Sequence, residues 1–95
     1  MEKQRKKASD NIFLDLGFGA DEAAALQIRA NLMNDLRLYI KTKRLTQSEA
    51  AKRLGIAQSR VSDLVRGKWE KFSLELLIML EARLGRAVKA ELINY

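Results

Sequence analysis

Apolar residues recur with a helical period through the first half of this chain. Leu32, Leu36 and Ile40 follow one another at intervals of four, which places them on one face of a helix. Asp21 is a favourable N-cap, so the pattern predicts a long helix from there to about Lys43. The side expected to face water carries Arg29, Asn34, Arg37 and Lys41.

Two short helices are predicted in the next stretch, LTQSEAAKRLGIAQSRVSDLVRGK, from Leu45 to Lys68. Thr46 and Glu49 have the T-x-x-E spacing of a capping box, so the first helix begins at Gln47. Gly55 ends that helix, because glycine enters the left-handed conformation without the steric penalty of a Cβ atom.

The second short helix is predicted from about Gln58 to Arg66, and Gly67 ends it. Two helices of about two turns joined by a tight break have the geometry of a helix-turn-helix, which places its second helix in the major groove of DNA. A small residue is expected where the helices approach most closely, and Ala51 takes that position. The predicted inner seam consists of Ala51, Leu54, Val61 and Leu64, packed on Leu36 and Leu77.

The last third of the chain contains a further helix and an alternating end. Apolar residues from Phe72 to Leu84 predict a helix that is capped by Ser73 and ended at Gly85. The following RAVKAELINY alternates apolar and polar positions, which is typical of a half-buried strand. The alternative is a helical extension. In the strand interpretation, pairing with the same strand of a second copy across a two-fold axis makes these the dimerisation residues: Val88, Ala90 and Leu92.

These patterns predict an all-α fold of four or five helices with a short C-terminal strand. Residues 1–20 form a basic tail and an apolar arm, residues 21–85 the helix-turn-helix domain, and residues 86–95 the dimerisation segment. The chain's 95 residues suit one small domain of limited stability, to which dimerisation would add buried surface. Within the first segment, NIFLDLGF at 11–18 predicts either a turn of helix or an extended arm.

Charge adds a candidate partner to this picture. The formal net charge is +6, and ten basic residues against three acidic ones lie between Arg37 and Lys71. The segment from Asp10 to Glu22 carries four acids and no base. Since the positive charge coincides with the two short helices, it favours a polyanion over a merely solvated surface. The basic N-terminal tail is expected either to reach a minor groove of DNA or to act only as a solubilising tail.

Catalysis is not expected from this composition. The chain has no histidine and no cysteine, which removes the commonest general base, the thiol nucleophile and most transition-metal ligands. No catalytic residue, cofactor or metal is predicted. No apolar run approaches the roughly 20 residues needed to span a bilayer, so no membrane association is expected. The absence of cysteine is in keeping with a reducing, cytoplasmic location.

From Leu32 to Leu84 the chain resembles the Cro/C1-type (XRE) helix-turn-helix proteins, whose lambda-repressor-like domain has four or five helices. Two further stretches, NIFLDLGF and WEKFSLELLIMLEARLGRAVKAEL, are similar to the HigA-type antitoxins. The resemblance implies a sequence-specific transcriptional repressor paired with a HigB-type, ribosome-dependent ribonuclease toxin. The alternatives are a stand-alone or phage-derived regulator without a toxin, and an interaction module whose main role is to neutralise such a ribonuclease.

The resemblance makes the second short helix the recognition helix. Its exposed residues are then expected to contact bases: Gln58, Ser59, Arg60, Ser62 and Asp63. Glutamine pairs with adenine N6 and N7, arginine with guanine O6 and N7, serine donates or accepts, and aspartate accepts from cytosine N4. Asp63 has the alternative role of orienting Arg60 or Arg66.

The same resemblance implies phosphate contacts around this helix. Gln47 begins the first short helix, so its amide and the free backbone N–H groups there face a phosphate. Point charges are expected from Lys43, Arg44, Arg66, Lys68 and Lys71. A homodimer would bind double-stranded DNA at a palindromic operator, with its recognition helices about 34 Å apart.

The apolar arm leaves two interpretations open. Its large side chains are expected either to cover the core of their own domain or to dock onto the toxin ribonuclease. These side chains are Ile12, Phe13, Leu14, Leu16 and Phe18.

Overall fold

A computed structural model describes residues 11–86, and this part of the chain is all-α, as predicted. Its elements are α1 (Ile12–Asp15), α2 (Ala20–Thr42), α3 (Gln47–Leu54), α4 (Gln58–Val65), a 3₁₀ turn (Trp69–Lys71) and α5 (Leu74–Arg83). The long α2 contacts α1, α4, the 3₁₀ turn and α5, while α3 packs on α4 and α5. The predicted C-terminal strand, with Val88, Ala90 and Leu92, lies outside the described residues, as does the basic N-terminal tail.

The start of α2 differs from the prediction. Its N-cap is Gly19, whose backbone is extended (φ −64°, ψ 162°) and which has no side chain to accept a hydrogen bond. The prediction of Asp21 as the N-cap is therefore wrong. Asp21 lies in the first turn, where its Oδ1 accepts from the amide of Glu22 at 2.8 Å. Its negative charge is favourable there, next to the free N–H groups of the helix end.

The apolar stripe of α2 faces the core, as predicted. Its buried or half-buried positions are Leu32, Met33, Leu36 and Ile40. The exposed side carries Asn34, Arg37 and Lys41. Arg29 was also predicted to face water, and that prediction is wrong. Its guanidinium turns toward the 3₁₀ turn, where Nε donates to the carbonyl of Phe72 at 2.8 Å.

The two short helices have nearly the predicted bounds. At the start of α3 the capping box is complete: the Glu49 amide donates to Thr46 Oγ1 at 3.0 Å, and the Thr46 amide donates to Glu49 Oε1 at 2.8 Å. That second hydrogen bond holds the pKa of Glu49 below its usual range. Gly55 ends α3 with a φ of +70°, in the left-handed region that the prediction required. The last helical residue of α4 is Val65 rather than Arg66.

The core lies where α2, α3, α4 and α5 meet. The predicted seam is buried from solvent at five positions: Leu36, Leu54, Val61, Leu64 and Leu77. The fully buried alanine of α3 is Ala50, while Ala51 is half-buried at the edge of the same cluster. Burying a leucine or valine side chain contributes roughly 1.5–3 kcal/mol. Burial of this seam is therefore the main contribution that holds α4 against the rest of the domain.

The beginning of α5 lies at Leu74 rather than at the predicted Phe72. Phe72 has an extended backbone (φ −126°, ψ 114°), and its ring is fully buried. Ser73 then caps the helix as predicted, since its Oγ accepts from the Leu76 amide at 3.1 Å. The segment before α5 thus places an aromatic ring in the core before the helix starts.

The apolar arm forms a turn of helix, one of the two predicted alternatives. Asn11 caps this turn by accepting from the Phe13 amide at 2.9 Å. The Phe13 ring meets the rings of Phe18 and Trp69 edge to face, with centroids 6.1 Å apart in both pairs. Exposed aliphatic residues remain on the arm: Ile12, Leu14 and Leu16. The aromatic side chains of the arm therefore cover their own domain, and its aliphatic side chains face solvent.

Candidate DNA-binding surface

The helix α4 is held by its inner face and exposes its first turn. Val61 and Leu64 are fully buried, which fixes the rotation of the helix about its axis. Gln58 and Ser59 are exposed in the first turn, and Ser62 is half-buried one turn further on. The structure thus gives three of the predicted base-contact residues access to solvent on a firmly seated helix.

Arg60 lies differently from these three residues. Its guanidinium carbon lies 5.0 Å from the ring centroid of Phe72, and Nη2 donates to the carbonyl of Lys71 at 3.0 Å. Its Nε is buried and has no hydrogen-bond partner among the described residues. Arg60 therefore contacts the segment that follows α4 instead of standing free on the outer face of the helix.

Asp63 also turns toward the segment that follows α4. Its Oδ2 lies 3.7 Å from Nζ of Lys71, and its side chain is only 17% exposed. The alternative role predicted for Asp63, orienting Arg60 or Arg66, does not match this geometry, because the described ion pair is with Lys71. A predicted base contact and a predicted phosphate contact are thus paired with each other.

The remaining predicted phosphate contacts come from the two turns that flank the helix pair. Lys43 and Arg44 lie in the turn before α3, and Gln47 is the exposed first residue of that helix. Arg44 has a φ of +54°, a conformation uncommon for residues with a Cβ atom, and it reverses the chain between α2 and α3. In the turn after α4, Arg66 is exposed and Lys68 is half-buried.

A shallow groove of about 790 Å³ lies between α2 and the C-terminal end of α4. The residues that line it are Asn34, Arg37, Leu38, Ile40, Lys41, Arg44, Leu45 and Val65, with three cations and no acid. A Cβ atom on Gly67 would lie 3.5 Å from Nη1 of Arg37, so this guanidinium reaches the turn after α4. Arg37 and Lys41 were not among the predicted phosphate contacts. The only signal for them in the sequence was the excess of positive charge that begins at Arg37.

A second ionisable cluster joins α2 to α5. Arg86 donates through Nε to Glu81 Oε1 at 3.0 Å and through Nη2 to Asp35 Oδ2. Glu81 is 3% exposed, and its Oε2 is buried without a partner among the described residues. Burial raises the pKa of Glu81 to about 7, and the neighbouring Asp35 carboxylate adds to that rise.

Two further classes of site are absent from residues 11–86. No group of three or more acidic, histidine or cysteine side chains is placed to hold a metal ion there. No helix in that range is long and apolar enough to cross a membrane. The described surface is therefore characterised by its basic turns and by the exposed first turn of α4.

Comparison with known families places this geometry in a known class. A family described as a helix-turn-helix domain matches residues 12–92, which include all five helices and both basic turns. Comparison with curated proteins and with solved structures gives no match. The two short helices joined by a tight turn, α3 and α4, form the helix-turn-helix pair of this chain. The chain belongs to the helix-turn-helix domain family and is a DNA-binding regulator.

Proposed function

We propose that this protein is a sequence-specific repressor that binds a palindromic operator in double-stranded DNA as a homodimer. The observation that carries the proposal is the exposed first turn of α4, held on a fully buried seam and flanked by basic turns. In such a dimer the two recognition helices would lie about 34 Å apart, in successive major grooves on one side of the duplex. The dimer contact is assigned to Val88, Ala90 and Leu92.

Base recognition is assigned first to Gln58 and Ser59, which are the most accessible residues of α4. The amide of Gln58 suits adenine, since it donates to N7 and accepts from N6. Ser62 adds a hydroxyl one turn later. Asp63 would accept from cytosine N4 only after Lys71 leaves its carboxylate for a phosphate, so its contribution is coupled to that lysine.

Phosphate binding is assigned to the two basic turns. The N-terminal amides of α3 and the Gln47 side chain would hold one phosphate, because a helix N-terminus carries partial positive charge. Cations around the groove supply the remaining contacts, and the groove adds two to those predicted: Arg37 and Lys41. The full cationic set is Arg37, Lys41, Lys43, Arg44, Arg66, Lys68 and Lys71.

The dependence of affinity on salt tests this function. A dimer that neutralises about eight phosphates should show log K falling with log salt at a slope of roughly −7. The duplex for this titration would be enriched from a random-sequence library by the wild-type protein. A slope near zero would overturn the assignment of this surface to DNA.

Two variants test which residues contact bases and which contact phosphates. Gln58→Ala should reduce discrimination at one base position in each half-site and cost about 1–3 kcal/mol per half-site on the enriched duplex. Lys68→Ala should weaken binding to all sequences alike and reduce the salt slope by about 2, which is about 1 for each subunit of the dimer. Lys52→Ala is the matched control, because this exposed lysine lies near the opposite end of α3 from Gln47. If Gln58→Ala and Lys68→Ala behaved identically, the proposed division would be wrong.

We further propose an antitoxin role, in which the repressor also binds and neutralises a HigB-type ribonuclease. The resemblance of the flanking stretches motivates it, and the exposed aliphatic residues of the apolar arm offer a surface for the partner: Ile12, Leu14 and Leu16. Co-expression with the product of the neighbouring gene should yield a complex that purifies together. If no toxic neighbour exists and the protein is always recovered alone, it is a stand-alone regulator.

A further inference from the structure

Two arginines from different helices donate hydrogen bonds to the segment from Gly67 to Ser73, which lies between α4 and α5. Arg60 of α4 donates Nη2 to the carbonyl of Lys71 at 3.0 Å. Arg29 of α2 donates Nε to the next carbonyl, that of Phe72, at 2.8 Å. Two consecutive carbonyls of this segment therefore receive charge-assisted hydrogen bonds, which are about twice as strong as neutral ones.

Both guanidinium groups also lie against aromatic rings of the same segment. The guanidinium carbon of Arg60 is 5.0 Å from the ring centroid of Phe72, and that of Arg29 is 5.5 Å from the ring centroid of Trp69. Arginine within about 6 Å of an aromatic face is attracted by the ring's negative quadrupole. Since Phe72 is fully buried, the contact of Arg60 ties α4 directly to the core side of the segment.

Arg60 is half-buried rather than free on the surface. Its Nε is buried and unpaired among the described residues, and an unpaired buried donor costs free energy. The side chain remains there because the hydrogen bond and the ring contact outweigh that cost. An arginine in this position is not available to a base edge without leaving both partners.

The segment from Gly67 to Ser73 carries two of the proposed phosphate contacts. Lys68 and Lys71 begin and end the stretch whose backbone the arginines hold, and Lys71 also pairs with Asp63 of α4 at 3.7 Å. Holding the carbonyls of Lys71 and Phe72 restricts the backbone positions from which the two lysine side chains extend. The same contacts set the distance between these cations and the exposed first turn of α4.

We propose that Arg60 is a positioning residue rather than a base reader. Together with Arg29 it holds the backbone of residues 68–72 and so keeps Lys68 and Lys71 at a set distance from Gln58 and Ser59. We call the contacts of these two arginines the clamp. The clamp rests on the proposed DNA-binding function, which it deepens. It replaces the sequence-based assignment of Arg60 to guanine. It also gives Arg29, on a helix outside the helix-turn-helix pair, a role in DNA affinity.

The test compares Arg60→Ala, Arg60→Lys and Arg29→Ala on three duplexes: the library-enriched one, its single-base variants, and a random sequence of equal length. Arg60→Ala should weaken the enriched and random duplexes by a similar factor, roughly tenfold or about 1.4 kcal/mol. Base preference at every position should be unchanged. Arg60→Lys should recover part of the loss, because an ammonium group can still donate to the Lys71 carbonyl and lie over Phe72. Arg29→Ala should reproduce the Arg60→Ala pattern.

The chain's single tryptophan reports on the clamp without any DNA. Trp69 lies in the clamped segment and is 38% exposed, so loss of either arginine should shift its emission to longer wavelength. Arg53→Ala is the matched control: this arginine bonds to the Tyr39 hydroxyl at 3.0 Å, away from the segment, and its loss should leave Trp69 emission unchanged. Far-UV circular dichroism under the binding conditions should show that each variant remains folded.

Two results would overturn the clamp. One is a loss of discrimination in Arg60→Ala that is confined to one base position of each half-site, with random-sequence binding unchanged, since that is the behaviour of a base reader. The other is an unchanged Trp69 emission in both Arg60→Ala and Arg29→Ala. If the wild-type protein bound no DNA, the proposed function would fail, while the emission measurement would still decide whether the clamp exists.

Discussion

The two sides of α4 are held by different kinds of contact. On the inner side, Val61 and Leu64 are fully buried among other apolar residues. On the other, Arg60 and Asp63 hold the segment after the helix through a carbonyl, an aromatic ring and an ion pair. Apolar burial is strong and non-directional, whereas charged groups act through specific directions and short distances. The apolar side therefore holds α4 on the domain, and the side with Arg60 and Asp63 holds the segment that follows α4.

Charged contacts recur around the rest of the apolar centre. Arg83 of α5 donates Nη1 to the carbonyl of Leu54 at 2.8 Å and thereby satisfies the C-terminal end of α3. Arg86 joins Asp35 of α2 to Glu81 of α5. In each case a long side chain reaches a group on another helix. The domain thus has an apolar seam surrounded by arginine contacts, and the two can be tested separately.

The largest expected effect is on the seam. Leu64→Ala should lower the free energy of unfolding by about 2–5 kcal/mol, because it removes buried methyl groups and leaves a cavity. Arg60→Ala should cost about 1.5 kcal/mol, the low end for a hydrogen bond from a charged donor, because this bond is partly solvated. Urea unfolding followed by circular dichroism measures both. Equal losses in the two variants would break the distinction between the seam and the charged contacts.

The carboxyl of Glu81 should make stability depend on pH. Its pKa of about 7 lies above the ordinary 4.5, so the folded state holds this proton more tightly than the unfolded chain. The free energy of unfolding should therefore fall as pH rises from about 4.5 to beyond about 7, by roughly 3 kcal/mol. Glu81→Gln should remove this decline and should be more stable than the wild type at about pH 8.

The other groups of the cluster do not titrate in this window. Asp35 has its pKa lowered from 3.8 by its contacts with Glu81 and Arg86, so its contribution is lost only at more acidic pH. The pKa of Arg86 is raised further by Asp35, and this residue stays charged throughout. Glu75→Gln is the control, since Glu75 is exposed on the same helix. An unaltered decline in urea midpoint for Glu81→Gln would show that this carboxyl is not its source.

A smaller loss of stability is expected when the residue that caps α3 is replaced. Thr46→Ala removes one half of the capping box and should cost about 1 kcal/mol. Ser48→Ala, an exposed neighbour in α3, should change stability by less than about 0.5 kcal/mol. Urea unfolding of both variants makes the comparison. A loss at Thr46 as large as that of Leu64→Ala would mean that caps, and not the seam, hold the helix pair.

The smallest loss of stability is expected at the exposed side chains of the apolar arm. Leu16 is 66% exposed, so Leu16→Gln should alter the free energy of unfolding by less than about 0.5 kcal/mol. Phe13→Leu should cost more, about 0.5–1.5 kcal/mol, because Phe13 packs edge to face on Phe18 and Trp69. Thermal unfolding of the two variants tests the difference. A loss above about 1 kcal/mol for Leu16→Gln would show that this side chain is part of the core.

Capping residues and glycines in the sequence were sufficient to predict the bounds of the two short helices. They were not sufficient to predict the structure of the segment that follows α4. The capping box at Thr46 and the left-handed Gly55 act within a few residues, so the bounds of α3 could be predicted. Phe72 was placed in a helix by its apolar neighbours, yet the core takes its ring through an extended backbone. Arg60 was assigned to a base because the recognition helix exposes most polar residues. That reasoning had no access to Phe72 and Lys71, which lie 11 or 12 positions further along the chain.

The sequence by itself determined the all-α class, the positions of α3 and α4, the apolar seam and the basic character of the surface. These depend on spacing, capping and composition, which act over a few residues or over the chain as a whole. Only the tertiary structure decided that Arg29 and Arg60 grip neighbouring carbonyls, that Asp63 pairs with Lys71, and that Glu81 is buried beside Asp35. A long charged side chain has many rotamers and partners of similar free energy. The helices packed around it select one of them.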